Sequence, residues 1–140
     1  MFNTILKNSE GIYKEKGSTF ISILKPISSE EEFKNMLKNL KKEYKDARHH
    51  CYAFRIGKQN VFERCSDDGE PSGTAGLPIL NSLKSANLSN VACVVIRYFG
   101  GTKLGSSGLI HAYKDACVKS IENNILGVLE LRHYLLVKFE

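Results

Sequence analysis

The chain has 140 residues, 42% hydrophobic and 25% charged, the composition of one globular domain, which excludes a disordered or fibrous chain. Its net charge of +5 points to anionic partners. The longest apolar run, Val91 to Ile96, is far short of the ~20 residues a membrane-spanning helix needs, and the N-terminus lacks a secretory leader, so a cytoplasmic protein with no membrane partner is expected.

Two short strands are expected first, near Thr4 to Leu6 and over Ser18 to Leu24, around a polar turn containing Gly11 and Gly17. Ser29-Glu30-Glu31-Glu32 is a capping-box sequence, and Phe33, Met36, Leu37, Leu40 and Tyr44 recur at helical spacing after it, so a helix follows. His50 to Ile56 and Val61 to Cys65 flank a Gly-Lys-Gln-Asn turn and predict a hairpin with Tyr52, Phe54 and Phe62 on one face. A short helix carrying Ile79, Leu80 and Leu83 has Pro78 near its start, and Val91 to Tyr98 reads as a buried strand. The longest helix is predicted over about Ser107 to Asn123. Leu129, Leu131, Leu135, Val137 and Phe139 alternate, with His133 interrupting, which predicts a terminal strand. The fold class is therefore α+β, a two-layer sandwich of mostly antiparallel sheet covered by helices.

Two dense loops carry the candidate chemistry. The first is Gly100-Gly101-Thr102-Lys103-Leu104-Gly105-Ser106-Ser107-Gly108, between a buried strand and a helix. That order brings free backbone N–H groups to a helix N-terminus, where phosphate binds, with Arg97, Lys103 and the Ser106 and Ser107 hydroxyls adding charge and hydrogen bonds. A tight turn with a serine N-cap explains the same residues. The spacing fits neither a Walker A loop nor a dinucleotide fingerprint, and Leu104 to Ser107 resembles the phosphate loop of GHMP kinases. The second loop, Ser66 to Gly76, joins Asp67, Asp68 and Glu70 to Ser72 and Thr74. It reads either as a carboxylate loop for acid–base work or a hard metal, or as an Asp-Gly turn with a Pro-Ser helix entry. His49 and His50 precede Cys51, which admits a Cys/His pair without a visible orienting partner. Cys51, Cys65, Cys93 and Cys117 form no Cys-x-x-Cys pair, so free thiols and no metal site are expected, although Cys51 and Cys65 can face each other across the hairpin.

Asp67 to Gly76, Asp-Asp-Gly-Glu-Pro-Ser-Gly-Thr-Ala-Gly, and Arg97 to Gly105, Arg-Tyr-Phe-Gly-Gly-Thr-Lys-Leu-Gly, together resemble the signatures of the IMPACT family, whose bacterial branch is the YigZ group. Ala47, His49, Cys51 and Ala53 match its Ala-x-His-x-Cys-x-Ala pattern. The resemblance implies a fold like the second domain of small-subunit ribosomal protein five, shared with GHMP kinases, with helices on one side of a sheet. It implies a role in translation and contact with nucleic acid or ribosomes, with no cofactor and no catalytic residue to carry over. Thr19 and Leu77 stand where basic residues are usual, and Ser106-Ser107 replaces a more glycine-rich pair. Longer members continue into a ferredoxin-like second domain, so residues 1–128 are expected to form the IMPACT-like domain and residues 129–140 a C-terminal strand, either of a one-domain member or at the start of that second domain.

The leading expectation is a non-enzymatic module that binds RNA or the ribosome, or a translation-associated protein, through Arg97, Gly100, Gly101, Lys103, Gly105, Ser106, Ser107 and Gly108, with His49, Asp67, Asp68, Glu70, Ser72 and Thr74 adjoining. The alternative is an enzyme or sensor for a small phosphate ligand, with Asp67, Asp68 or Glu70 on Mg²⁺. A third reading is a protein-interaction surface; the oligomeric state is open.

Overall fold

A computed structural model describes the backbone of residues 4–139 and the side chains of residues 4–124. The elements run β1 (Ser9–Glu15), β2 (Ser18–Pro26), α1 (Glu30–Glu43), β3 (His49–Ile56), β4 (Phe62–Ser66), α2 (Gly76–Ser85), β5 (Val91–Tyr98) and α3 (Gly105–Phe139). The strands form one antiparallel sheet in the order β1-β2-β5-β3-β4.

The central position of β5 explains its unbroken apolar sequence. Strand side chains alternate between faces, so a strand covered on both sides has no polar position to spare. Val91, Cys93 and Val95 pack with Phe20, Leu24, Cys51 and Ala53 under α2 and α3, which contribute Ile79, Leu83, Leu109, Tyr113 and Cys117. Ala92, Val94 and Ile96 face the other way, toward Phe33 and Met36 of α1. The α+β class holds, and α1 adds a thinner cover on the face that a two-layer sandwich leaves open.

α1 starts as its sequence dictates. Ser29 Oγ accepts the Glu32 N–H at 3.1 Å, while the Glu32 carboxylate reaches back to the Ser28 N–H at 2.8 Å and the Ser28 hydroxyl at 2.9 Å. This is a capping box displaced by one residue. Those bonds, the backbone one first, hold the Glu32 carboxyl below its ordinary range.

Two expected strands are corrected. The first strand is Ser9–Glu15, not Thr4 to Leu6, and the turn is Lys16-Gly17, both with positive φ, as a two-residue hairpin requires. Gly11 is a strand residue. A Cβ there would stand 2.5 Å from Ser120 N of α3, so glycine marks the close approach of a helix backbone instead of a turn. The terminal strand over Leu129 to Phe139 is also overturned, because α3 is helical from Gly105 to Phe139. Leu, Glu and Arg are helix formers, and the segment has few β-branched residues to oppose them. The alternating side chains of that segment lie outside the described residues.

Candidate functional site

At one end of the sheet, β2, β5 and β3 bring Phe20, Arg97 and His49 into register as neighbours. Arg97 shares the parity of Cys93 and Val95, so its guanidinium enters the α2/α3 side of the sheet and is only 4% exposed. A cation buried there needs a counter-charge. Glu70 supplies it from the loop after β4, accepting Arg97 Nη1 at 3.0 and 2.7 Å on its two oxygens. The Tyr113 hydroxyl of α3 donates to the same carboxylate at 2.5 Å, and the Phe20 ring meets Tyr113 edge-on at 5.1 Å. Cys51 Sγ lies 3.0 Å from the Asp67 carbonyl and 3.3 Å from the Tyr113 oxygen. Burial pushes the Cys51 thiol and the Tyr113 phenol far above their ordinary ranges, so both stay protonated.

The loop Ser66 to Gly76 is a clamp. The Asp67 carboxylate accepts the N–H groups of Gly73 at 2.9 Å, Ala75 at 3.1 Å and Gly76 at 2.8 Å, capping α2 from outside the helix where Ala75 offers no capping side chain. The Asp68 carboxylate accepts the His50 N–H at 2.7 Å, and Thr74 Oγ1 donates to the Pro71 carbonyl at 2.6 Å. Ser72 is exposed at the turn. Burial raises the Asp67 carboxyl, but the three N–H groups outweigh it and leave the carboxyl below its ordinary range. A depressed folded pKa contributes stability that is fully present above the unfolded pKa of about 3.9 and is lost as pH falls through the folded value. Asp67→Asn is therefore expected to lower stability at pH 7 by about 1–2 kcal/mol. It should also flatten the fall in melting temperature between about pH 5 and pH 2. An unchanged acid limb would show that the cap is not ionic.

Between this loop and the glycine loop lies a pocket of about 360 Å³. Its wall includes Arg48, His49, Phe99, Lys103, Gly105 and Ser106, with the Glu70–Arg97 pair at its back. Arg48 stacks over the Phe99 ring at 4.7 Å, and the Arg97 guanidinium lies 5.4 Å from the same ring. Arg48 and Lys103 are exposed, and neither makes an ion pair among the described residues. Glu70 and Arg97 neutralise each other, so the pocket mouth carries the two remaining cations beside Gly105 and Ser106 at the start of α3.

Several expected site residues take other roles. Arg97 is paired inward, with Nη1 on both oxygens of Glu70. Asp67 and Glu70 have their oxygens engaged by backbone N–H groups and by Arg97, while Asp68 is exposed and has one oxygen on the His50 N–H. Among the described residues no group of three His, Cys, Asp or Glu side chains is placed to hold a metal. Gly100 packs on Gly17 of the β1–β2 turn, and its N–H donates to Ser18 Oγ at 3.2 Å. Gly101 and Gly105 have φ of +89° and +73°, so both shape the loop. Lys103, Gly105 and Ser106 line the pocket, whereas Ser107 and Gly108 sit in the first turn of α3 outside its wall. The Cys/His pair is absent: His49 Nδ1 meets the Asp68 carbonyl at 2.7 Å, His50 Nε2 meets the Tyr44 carbonyl at 2.9 Å, and Cys51 is a buried thiol. Cys65 pairs with Ala53, not Cys51, and all four thiols are free. Tyr98 packs with the α1-side cluster and donates its hydroxyl to Asp46 at 3.0 Å. Arg48 is a further pocket residue outside both signatures; its place just ahead of β3, beside His49, is the sequence signal for it.

Residues 16–121 match the Impact N-terminal domain. The IMPACT family member YvyE of Bacillus subtilis is 43% identical over 113 residues, 81% of this chain and 51% of its own length. This chain belongs to the IMPACT family. A crystal structure described as that of a hypothetical protein superposes with a TM-score of 0.79 at 34% identity, covering 85% of this chain and 59% of that one. The structure of the two-domain translational regulator Yih1 superposes with a TM-score of 0.58 at 26% identity, covering 88% of this chain and 49% of that one. The chain thus spans about half the length of YvyE and of Yih1. In this IMPACT domain the Asp67 to Gly76 signature caps α2 and delivers Glu70 to Arg97, while Arg97 to Gly105 builds the turn from β5 into α3. Both signatures are accounted for by structure before any ligand is considered. Among the described residues no helix is long and apolar enough to cross a membrane.

Proposed function

We propose that this IMPACT domain is a non-enzymatic module of translation regulation that holds RNA phosphate in the pocket between the Asp67 to Gly76 and Arg97 to Gly108 loops. The observation that carries this reading is the charge left at the pocket mouth: among the described residues Arg48 and Lys103 have no counter-ion beside the start of α3, while the acidic Glu70 is spent on Arg97. Phosphate at such a place satisfies helix N–H groups and two cations together. The likeness to a protein described as a translational regulator supports the setting. The buried, protonated Cys51 thiol and the occupied Asp67 and Glu70 carboxylates favour binding over catalysis.

Fluorescence anisotropy of a labelled single-stranded RNA between about 50 and 200 mM salt tests the reading. Affinity is expected to fall with salt, and Lys103→Ala and Arg48→Ala should each make the log–log slope shallower by about 0.7. No binding at low salt, or slopes unchanged by both variants, would remove RNA from this pocket. Its volume lies within the ~300–1,000 Å³ of small-molecule sites, which favours a free nucleotide as the second reading. Displacement of the RNA by micromolar mononucleotide would select that reading.

A further inference from the structure

A groove of about 580 Å³ runs between α2 and α3, outside the RNA pocket. α2 contributes Leu77 and Pro78, and α3 contributes Ile110, Val118 and Ile121. Leu77 is 47% exposed and Ile110 43%, so two large aliphatic side chains are left to water along one furrow. Ser82, Ser85 and Ala86 on the α2 wall are small, which allows a helix to approach closely.

The charges in this groove have a symmetry of their own. Lys114 and Glu122 both line it, each four residues from Val118. Positions four apart stack on one helix face, so the three form a single ridge, with the charges about 6 Å either side of the valine along the axis. A two-fold interface requires that residue i of one copy meet j of the other while j meets i. An antiparallel α3 pair centred on Val118 meets that condition: Lys114 faces the partner subunit's Glu122, and Glu122 faces the partner subunit's Lys114. An unrelated helix would have to carry the same charges at the same spacing; the chain itself already does.

We propose that the α2/α3 groove is a homodimer interface in which each α3 seats in the partner's groove about a two-fold axis at Val118. The proposal is independent of the RNA reading, because Lys114 and Glu122 do not line the RNA pocket. Sedimentation of the whole chain between about 1 µM and about 1 mM should show a reversible monomer–dimer equilibrium. Lys114→Glu and Glu122→Lys should each weaken it about tenfold or more, since each juxtaposes two like-charged pairs per dimer. An equimolar mixture of the two variants should associate again, because the acidic positions of one then meet the basic positions of the other, and the doubly swapped chain should match the original. Circular dichroism on each variant confirms folding. A monomer throughout, single variants that dimerise like the original, or a mixture that fails to recover association would each overturn the proposal and leave the groove to a different partner or to none.

Discussion

Glu70→Ala is expected to destabilise the domain by about 3–5 kcal/mol, a fall in melting temperature of more than about 10 °C. The substitution leaves the Arg97 guanidinium, 4% exposed, without its counter-charge and takes the acceptor from the buried Tyr113 hydroxyl. Removing one member of a buried pair costs far more than removing both, because the orphaned charge retains its desolvation penalty. The double variant Glu70→Gln with Arg97→Met should therefore recover most of the loss. Thermal unfolding of the single and double variants measures this directly. A shift of only a few degrees in Glu70→Ala would mean that water reaches Arg97 and that the pair is not closed. Lys103→Ala and Arg48→Ala serve as the contrast: both side chains are exposed, so stability should hardly move while RNA affinity falls.

Gly100→Ala should be the most damaging change within the glycine loop. A Cβ at this position would overlap the carbonyl carbon and oxygen of Gly17 and come 2.5 Å from Ser18 N, all of them backbone atoms that no rotamer change can move. The turn between β1 and β2 would have to shift, breaking the bond from the Gly100 N–H to Ser18 Oγ. We expect a loss of about 3 kcal/mol, at the upper end of overpacking costs. Gly101→Ala separates the two reasons for glycine here. Its φ is +89° with open space around the added Cβ, so only backbone strain of about 1–2 kcal/mol applies. Comparable melting temperatures for the two variants would contradict the packing between the turns.

The Gly100–Gly17 contact also shows why the glycine loop was ambiguous in sequence. Glycines between a buried strand and a helix suit a phosphate cradle and a packed turn equally, and the distinction rests on a residue more than eighty positions away. The same holds for Gly11, which reads as a turn until Ser120 of α3 is found against it. Local signals fared better where the physics is local. The α1 cap, the β3–β4 hairpin, Pro78 in the first turn of α2 and the doubly buried β5 all stand where periodicity and capping chemistry place them. The terminal segment failed because alternating leucines satisfy a strand pattern and a helix equally over a short span.

The sequence by itself determined the α+β class, most of the elements and the family, because capping, alternation and two contiguous signatures are properties of neighbouring residues. Only the tertiary structure decided which charges are available to a ligand. Arg97 and Lys103 stand six positions apart in one motif and look alike as phosphate contacts, yet one is turned under α3 against Glu70 and the other is exposed. Arg48, one of the basic residues ahead of β3, joins Lys103 at the pocket because β3 lies beside β5. A charge is free or spent according to what the fold sets opposite it, and that partner is chosen by the sheet order and by the parity of each strand, which no local pattern encodes.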